Sequence, residues 1–138
     1  MPYGIKKIIS FQNPLVKQFT GLQKPKEREA HKLFIAEGLR EIYLAMQSGY
    51  EIKNIAYCPE LITFKSLKEY FKGIDISNIE FTEVSKPVFE KISYRGDIAN
   101  AVSICVPKHA LLSSLAVLHN SLFVVLESVE KPGNLGAI

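Results

Sequence analysis

Five residues near the end of the chain, Pro132-Gly133-Asn134-Leu135-Gly136, are of the types that let a backbone approach a ligand closely. They follow Leu122–Leu126, an unbroken apolar run of Leu-Phe-Val-Val-Leu. Such a run predicts a strand buried on both faces, as in parallel sheets. Pro132-Gly133 then turns the chain, and Asn134 is placed to cap a helix beginning at Leu135. Strand, polar loop and helix start is the arrangement at which open α/β sheets hold ligands. The turn lacks the lysine and hydroxyl that a Walker loop uses to hold phosphates. On residue types alone, an ordinary strand-to-turn connection is the better reading. No Ser/His/Asp or Cys/His set is legible, and no carboxylate pair converges. His31, His109 and His119 form no metal-ligand spacing with Cys58 and Cys105.

The second kind of chemistry is phosphate binding. Residues 1–40 carry eight Lys/Arg against three Glu, a surplus of +5, whereas the rest carries nine against eleven, or −2. A basic end on a near-neutral body suggests a polyanion as partner. Lys24, Arg28 and Lys32 recur every four residues, so a helix would present them on one face. With Lys17, Arg40 and the loop residue Arg95 they are the candidate phosphate contacts. A merely solvated basic helix accounts for the charge equally well. Arg40 has a second reading as the partner of Glu41 or Glu37. For Glu37, support of the following helix N-terminus is preferred. For Arg95, a solvated loop charge is the commoner fate.

The elements that must position these residues follow from periodicity and punctuation. Ile5–Phe11 is an apolar and basic lead-in. Asn13-Pro14 starts a helix whose Leu15, Phe19 and Leu22 share a face. Lys24–His31 is a second short helix. Leu33–Ala36, Ile52–Cys58, Ile79–Val84 and Ile98–Val106 are predicted strands. Between them come helices from Leu39 to about Gln47, over Leu61–Phe71, and after an N-cap at Ser85. Tyr94-Arg95-Gly96-Asp97 is a loop. Lys108–Ser121 is a linker with a helical turn or two. The 138 residues suffice for one domain with a real core. Apolar residues at 47% and charged ones at 22% fit a globular chain rather than a disordered one. No apolar run nears the ~20 residues of a membrane span, and residues 1–7 lack the core of a signal peptide. Two free, buried thiols then suit a cytoplasmic protein.

Four patches resemble the SpoU (TrmH-type) RNA ribose 2′-O-methyltransferases of the knotted SPOUT superfamily. Ile9-Ser10-x-x-Asn13-Pro14-x-Val16-Lys17 resembles the start of their substrate-binding domain. Phe34-x-x-Glu37-Gly38-x-Arg40-Glu41 is similar to a second patch of it, as is Val88-Phe89-x-Lys91-Ile92-Ser93 followed by Gly96. Glu130–Ile138 resembles the front of the first catalytic motif, Pro-x-Asn-x-Gly-x-Ile, and gives Asn134 the place of the active-site asparagine. The family's arginine would lie just beyond Ile138, as would the motifs for the knot and S-adenosylmethionine.

The resemblance implies an α/β fold, a three-layer α/β/α sandwich with a mixed sheet like the ribosomal and kink-turn-binding proteins. It assigns 1–107 to an RNA-binding substrate domain, 108–121 to a linker and 122–138 to the start of a methyltransferase domain. The implied parent methylates rRNA or tRNA with S-adenosylmethionine as a homodimer. Residues 1–138 alone are expected to be inactive, with no cofactor or metal site of their own. The strand at Leu122–Leu126 would need cover, from another copy of the chain or from its own domain. A non-enzymatic RNA- or ribosome-binding module of the same fold is the alternative, and a purely structural domain with a basic face another.

Overall fold

The computed structural model describes residues 4–127. Residues up to Lys108 form one compact unit and those from His109 a second. The first is built on a five-stranded mixed sheet in the order β1-β4-β3-β5-β2. Its strands are β1 (Lys6–Ile8), β2 (Phe34–Glu37), β3 (Glu51–Tyr57), β4 (Glu80–Val84) and β5 (Ala101–Val106). β1, β4 and β3 run parallel, and β5 is antiparallel to both β3 and β2. The helices are α1 (Pro14–Gly21), α2 (Pro25–His31), α3 (Leu39–Gln47), α4 (Phe64–Tyr70) and α5 (Lys86–Ile92).

Side-chain alternation along the strands feeds two cores. Ile8, Ala56, Val84, Val102 and Ile104 meet Val16 and Phe19 of α1 and Val88, Phe89 and Ile92 of α5 on one face. Ile55, Tyr57, Phe81, Ala101 and Cys105 meet Ile42 of α3, Leu67 of α4 and Phe71 on the other. The expected three-layer sandwich with a mixed sheet is therefore what forms. Ile52 and Ile55 lie three apart yet share a face, because the β3–β5 register slips between Ile52 and Asn54. An extra residue of this kind reverses the alternation. On the far face Tyr57 stacks on Phe64, which meets Phe81 edge-on.

The caps match the chain chemistry. The Asn13 carboxamide oxygen accepts the Leu15 N–H at 2.9 Å, and Pro14 takes the first helical position, where no N–H is needed. Thr63 caps α4 through the Ser66 N–H at 3.1 Å. α2 buries no side chain and has no side-chain cap.

Four expectations are corrected. The lead-in contains a strand, β1, paired with β4 through Lys6–Thr82 and Ile8–Val84. The helix expected from Leu61 begins at Phe64. The strand expected from Ile98 begins at Ala101, because Gly96–Ala99 forms a 3-10 turn and Asn100 takes φ +58°. Leu122–Leu126 is no strand: it has no ladder partner among the described residues, and Leu122, Val124 and Val125 are exposed. An apolar run has strand geometry only when another backbone takes its N–H and C=O groups. The described residues of the second unit contain one 3-10 turn, Leu112–Ser114. No helix among the described residues is long and apolar enough to cross a membrane.

Candidate nucleic-acid interface

Two connections meet at one edge of the sandwich. β2 runs into α3 at Glu37-Gly38, and α5 runs into β5 through Ser93–Asn100. Glu37 pairs with Val102 across the sheet, which puts its carboxylate under the second connection. That carboxylate accepts the backbone N–H groups of Tyr94 and of Arg95, the latter at 3.0 Å. Hydrogen bonds to a charged acceptor are the stronger kind. The preferred reading of Glu37 as support for its own helix is thus corrected: its partners lie in a loop far along the chain.

Gly38 takes φ +99° at the start of α3 and donates its N–H to the Ala101 carbonyl at 2.9 Å. A Cβ there would run into the Glu41 carboxylate. In the facing loop, the Ser93 hydroxyl donates to the Gly96 carbonyl at 3.0 Å, and Gly96 takes φ +63°. The outcome is a fastened loop that buries Ala99 but leaves Tyr94 90% and Ile98 81% exposed. Arg95 pairs with Glu41 at 3.3 Å, so Glu41 meets this loop rather than Arg40. Arg40 is exposed and has no ion-pair partner among the described residues.

The remaining basic candidates belong to α1 and α2. Lys17 is exposed beside a groove of about 490 Å³ lined also by Leu15, Leu22, Glu27 and His31. Lys24 and Lys32 are exposed at the two caps of α2, Lys32 in the left-handed conformation at φ 52°. Arg28, half-buried between them, turns inward and donates to the carbonyls of Leu22 at 3.1 Å and Gln23 at 2.9 Å, fastening the α1–α2 turn. The four-residue spacing is real, but only its two ends are free exposed charges. Asn134 lies outside the described residues.

Sequence reasoning did not single out Tyr94 and Ile98. Tyr94 stood in a recognised loop, and Ile98 was absorbed into a strand. Lys91 was named only as part of the Val88–Ser93 patch, with no role; its ammonium sits 4.8 Å from the centre of the Phe11 ring.

A family model described as the MRM3-like substrate-binding domain matches residues 13–100, which include every one of these basic residues. The chain belongs to that family. The match bears out the SpoU resemblance carried by Phe34–Glu41 and Val88–Gly96. Among solved structures, the MRM3-like chain is similar to an RNA 2′-O ribose methyltransferase, with 28% identity and a TM-score of 0.72, over 95% of this chain and 49% of that one. It is similar to an rRNA methyltransferase from Sinorhizobium meliloti, with 26% identity and a TM-score of 0.57, over 77% of this chain and 38% of that one. The SpoU methyltransferase AviRb from Streptomyces viridochromogenes, in complex with AdoMet, shares the fold at 17% identity with a TM-score of 0.65, over 80% of this chain and 42% of that one. No curated protein matches. The MRM3-like chain spans half or less of the length of these structures.

Proposed function

We propose that this chain is the RNA-binding N-terminal region of an S-adenosylmethionine-dependent RNA ribose 2′-O-methyltransferase acting on rRNA or tRNA in the cytoplasm. The observation that carries the reading is the substrate-binding family match over residues 13–100, supported by the 95% coverage of this chain by an RNA 2′-O ribose methyltransferase. In this reading Lys17, Lys24, Lys32 and Arg40 neutralise phosphates and set the orientation of the RNA, with Arg95 released from Glu41 to join them. Arg28 contributes chiefly by holding the α1–α2 turn that carries Lys24. S-adenosylmethionine supplies the methyl group in the whole enzyme. We assign no residue of this chain to the cofactor. Asn134 takes the family asparagine's place at the reacting ribose, and dimerisation belongs to the catalytic domain.

The test is RNA affinity measured against salt concentration for residues 1–138 and for Lys24→Glu. Each phosphate contact removed flattens the slope of log K against log salt by roughly 0.7–0.9. Equal affinity and equal slope in both chains would reject the phosphate-binding reading of α2. Calorimetric titration of the same chain with S-adenosylmethionine is expected to show no saturable binding at micromolar concentration.

A further inference from the structure

The Ser93–Asn100 loop shows two large side chains to water without being slack. Tyr94 is 90% and Ile98 81% exposed, whereas neighbouring Ser93 and Ala99 are buried. The loop is held by Glu37 at the Tyr94 and Arg95 N–H groups, by Ser93 at Gly96, and by two positive φ angles at Gly96 and Asn100. Fixed backbone with displayed side chains is how a binding surface avoids the ordering penalty on association. Arg95 stands beside Tyr94, and its pair with Glu41 is between exposed groups, the kind a competing phosphate displaces at little cost. Arg40, in the first turn of α3, supplies a second exposed cation next to Glu41 in the chain.

We propose that this loop is a stacking platform for an unpaired nucleotide of the bound RNA, with Tyr94 taking the base and Arg95 and Arg40 the flanking phosphates. The inference rests on the RNA-binding reading above and narrows it: this domain prefers RNA with unstacked bases over continuous duplex. In the interior of duplex RNA every base face is already covered by its neighbours, so one protruding phenol ring finds no surface to stack on except at the two ends. A splayed-out base offers one regardless of its identity. Arg95, next to Tyr94 in the chain, and the exposed Arg40 favour this occupant over an apolar protein segment, which would offer no anion to either.

The experiment measures binding of residues 1–138 to two labelled RNAs of equal length at one salt concentration, a hairpin with an unpaired loop and a blunt duplex. The wild type is expected to prefer the hairpin. Tyr94→Ala is expected to lose about five- to hundredfold on the hairpin, the range for one base-stacking contact, and little on the duplex. Tyr94→Phe is expected to retain hairpin affinity, because the ring face and not the hydroxyl makes the contact. Arg95→Gln is expected to flatten the salt slope by about 0.7 for a single-stranded contact. The exposure of Tyr94 leaves folding unaffected, which thermal unfolding of each variant checks. Undiminished hairpin binding by Tyr94→Ala overturns the proposal while leaving RNA binding intact. So does an equal loss on hairpin and duplex. A change in the sedimentation of the free chain without a change in RNA affinity makes the loop a self-association surface, and the proposal fails. If the wild type binds neither RNA, the functional reading itself fails first.

Discussion

Replacing Glu37 with alanine takes the carboxylate acceptor from two backbone N–H groups at the start of the Tyr94 loop. The expected loss is about 2 kcal/mol, at the level of a hydrogen bond to a charged group, read as a lower urea midpoint. Amide exchange at Tyr94 and Arg95 is expected to quicken more than exchange in the sheet. A generally weakened fold with unchanged relative protection of that loop would refute the assigned role. The sequence marked Glu37 through its place before Gly38, but its acceptor role was not legible, since its partners lie 57 and 58 residues away. Arg28 shows the same limit. Its spacing from Lys24 and Lys32 suggested a phosphate row, and only the turn geometry reveals the Leu22 and Gln23 carbonyls that occupy its guanidinium. For this reason Lys24→Glu reports on charge, whereas a change at Arg28 disturbs the turn as well.

The helices and strands that bury an apolar stripe were legible as stripes. Phe89 on α5 is fully buried with Val88 and Ile92, and Phe89→Ala is expected to cost about 3–5 kcal/mol in chemical denaturation, transfer and cavity terms together. A loss below 1 kcal/mol would mean that this layer is not packed as described. β3 carries a pH signature. Burial, and then the nearby Glu83 charge, raise the Tyr57 phenol above its ordinary value. The folded state thus holds that proton more tightly than the unfolded chain. The associated stability is complete below the unfolded value of about 10 and is lost as pH rises through the folded value. Tyr57→Phe is expected to reduce the fall of the urea midpoint between pH 8 and pH 11; an unchanged fall would show that other groups govern it. β1 escaped detection because only Ile8 of its three residues is buried, so no alternation exists to be read. Leu122–Leu126 misled in the opposite direction: composition signalled a strand, but a strand is a property of two backbones.

Both core clusters are composed of residues that precede Val106, and Lys108 closes the first unit with its ammonium on the Ser48 carbonyl and 4.9 Å from the centre of the Tyr50 ring. A chain ending at Lys108 is therefore expected to keep the unfolding free energy of the 138-residue chain within about 0.5 kcal/mol, the scale of changes away from a core. A drop of several kcal/mol would place essential contacts after His109. The alternation of strands and helices was legible at this scale, and the family resemblance supplied the layered sandwich; the strand order was not legible, since no local signal tells β5 to enter between β3 and β2. That insertion has a consequence for the chain as it leaves the ribosome. Among the described residues β2 pairs with β5 and with no other strand. The segment Phe34–Glu37 must wait for residues up to Val106 before it gains a neighbour, a delay of about 4–14 s at the usual 5–20 residues per second. Until then the nascent polypeptide exposes both Phe34–Glu37 and one edge of β3, and the Glu37 carboxylate has no loop to hold. β5, the interior strand that joins β2 to β3, arrives last, so the sheet is completed in one late step rather than growing steadily from its N-terminus.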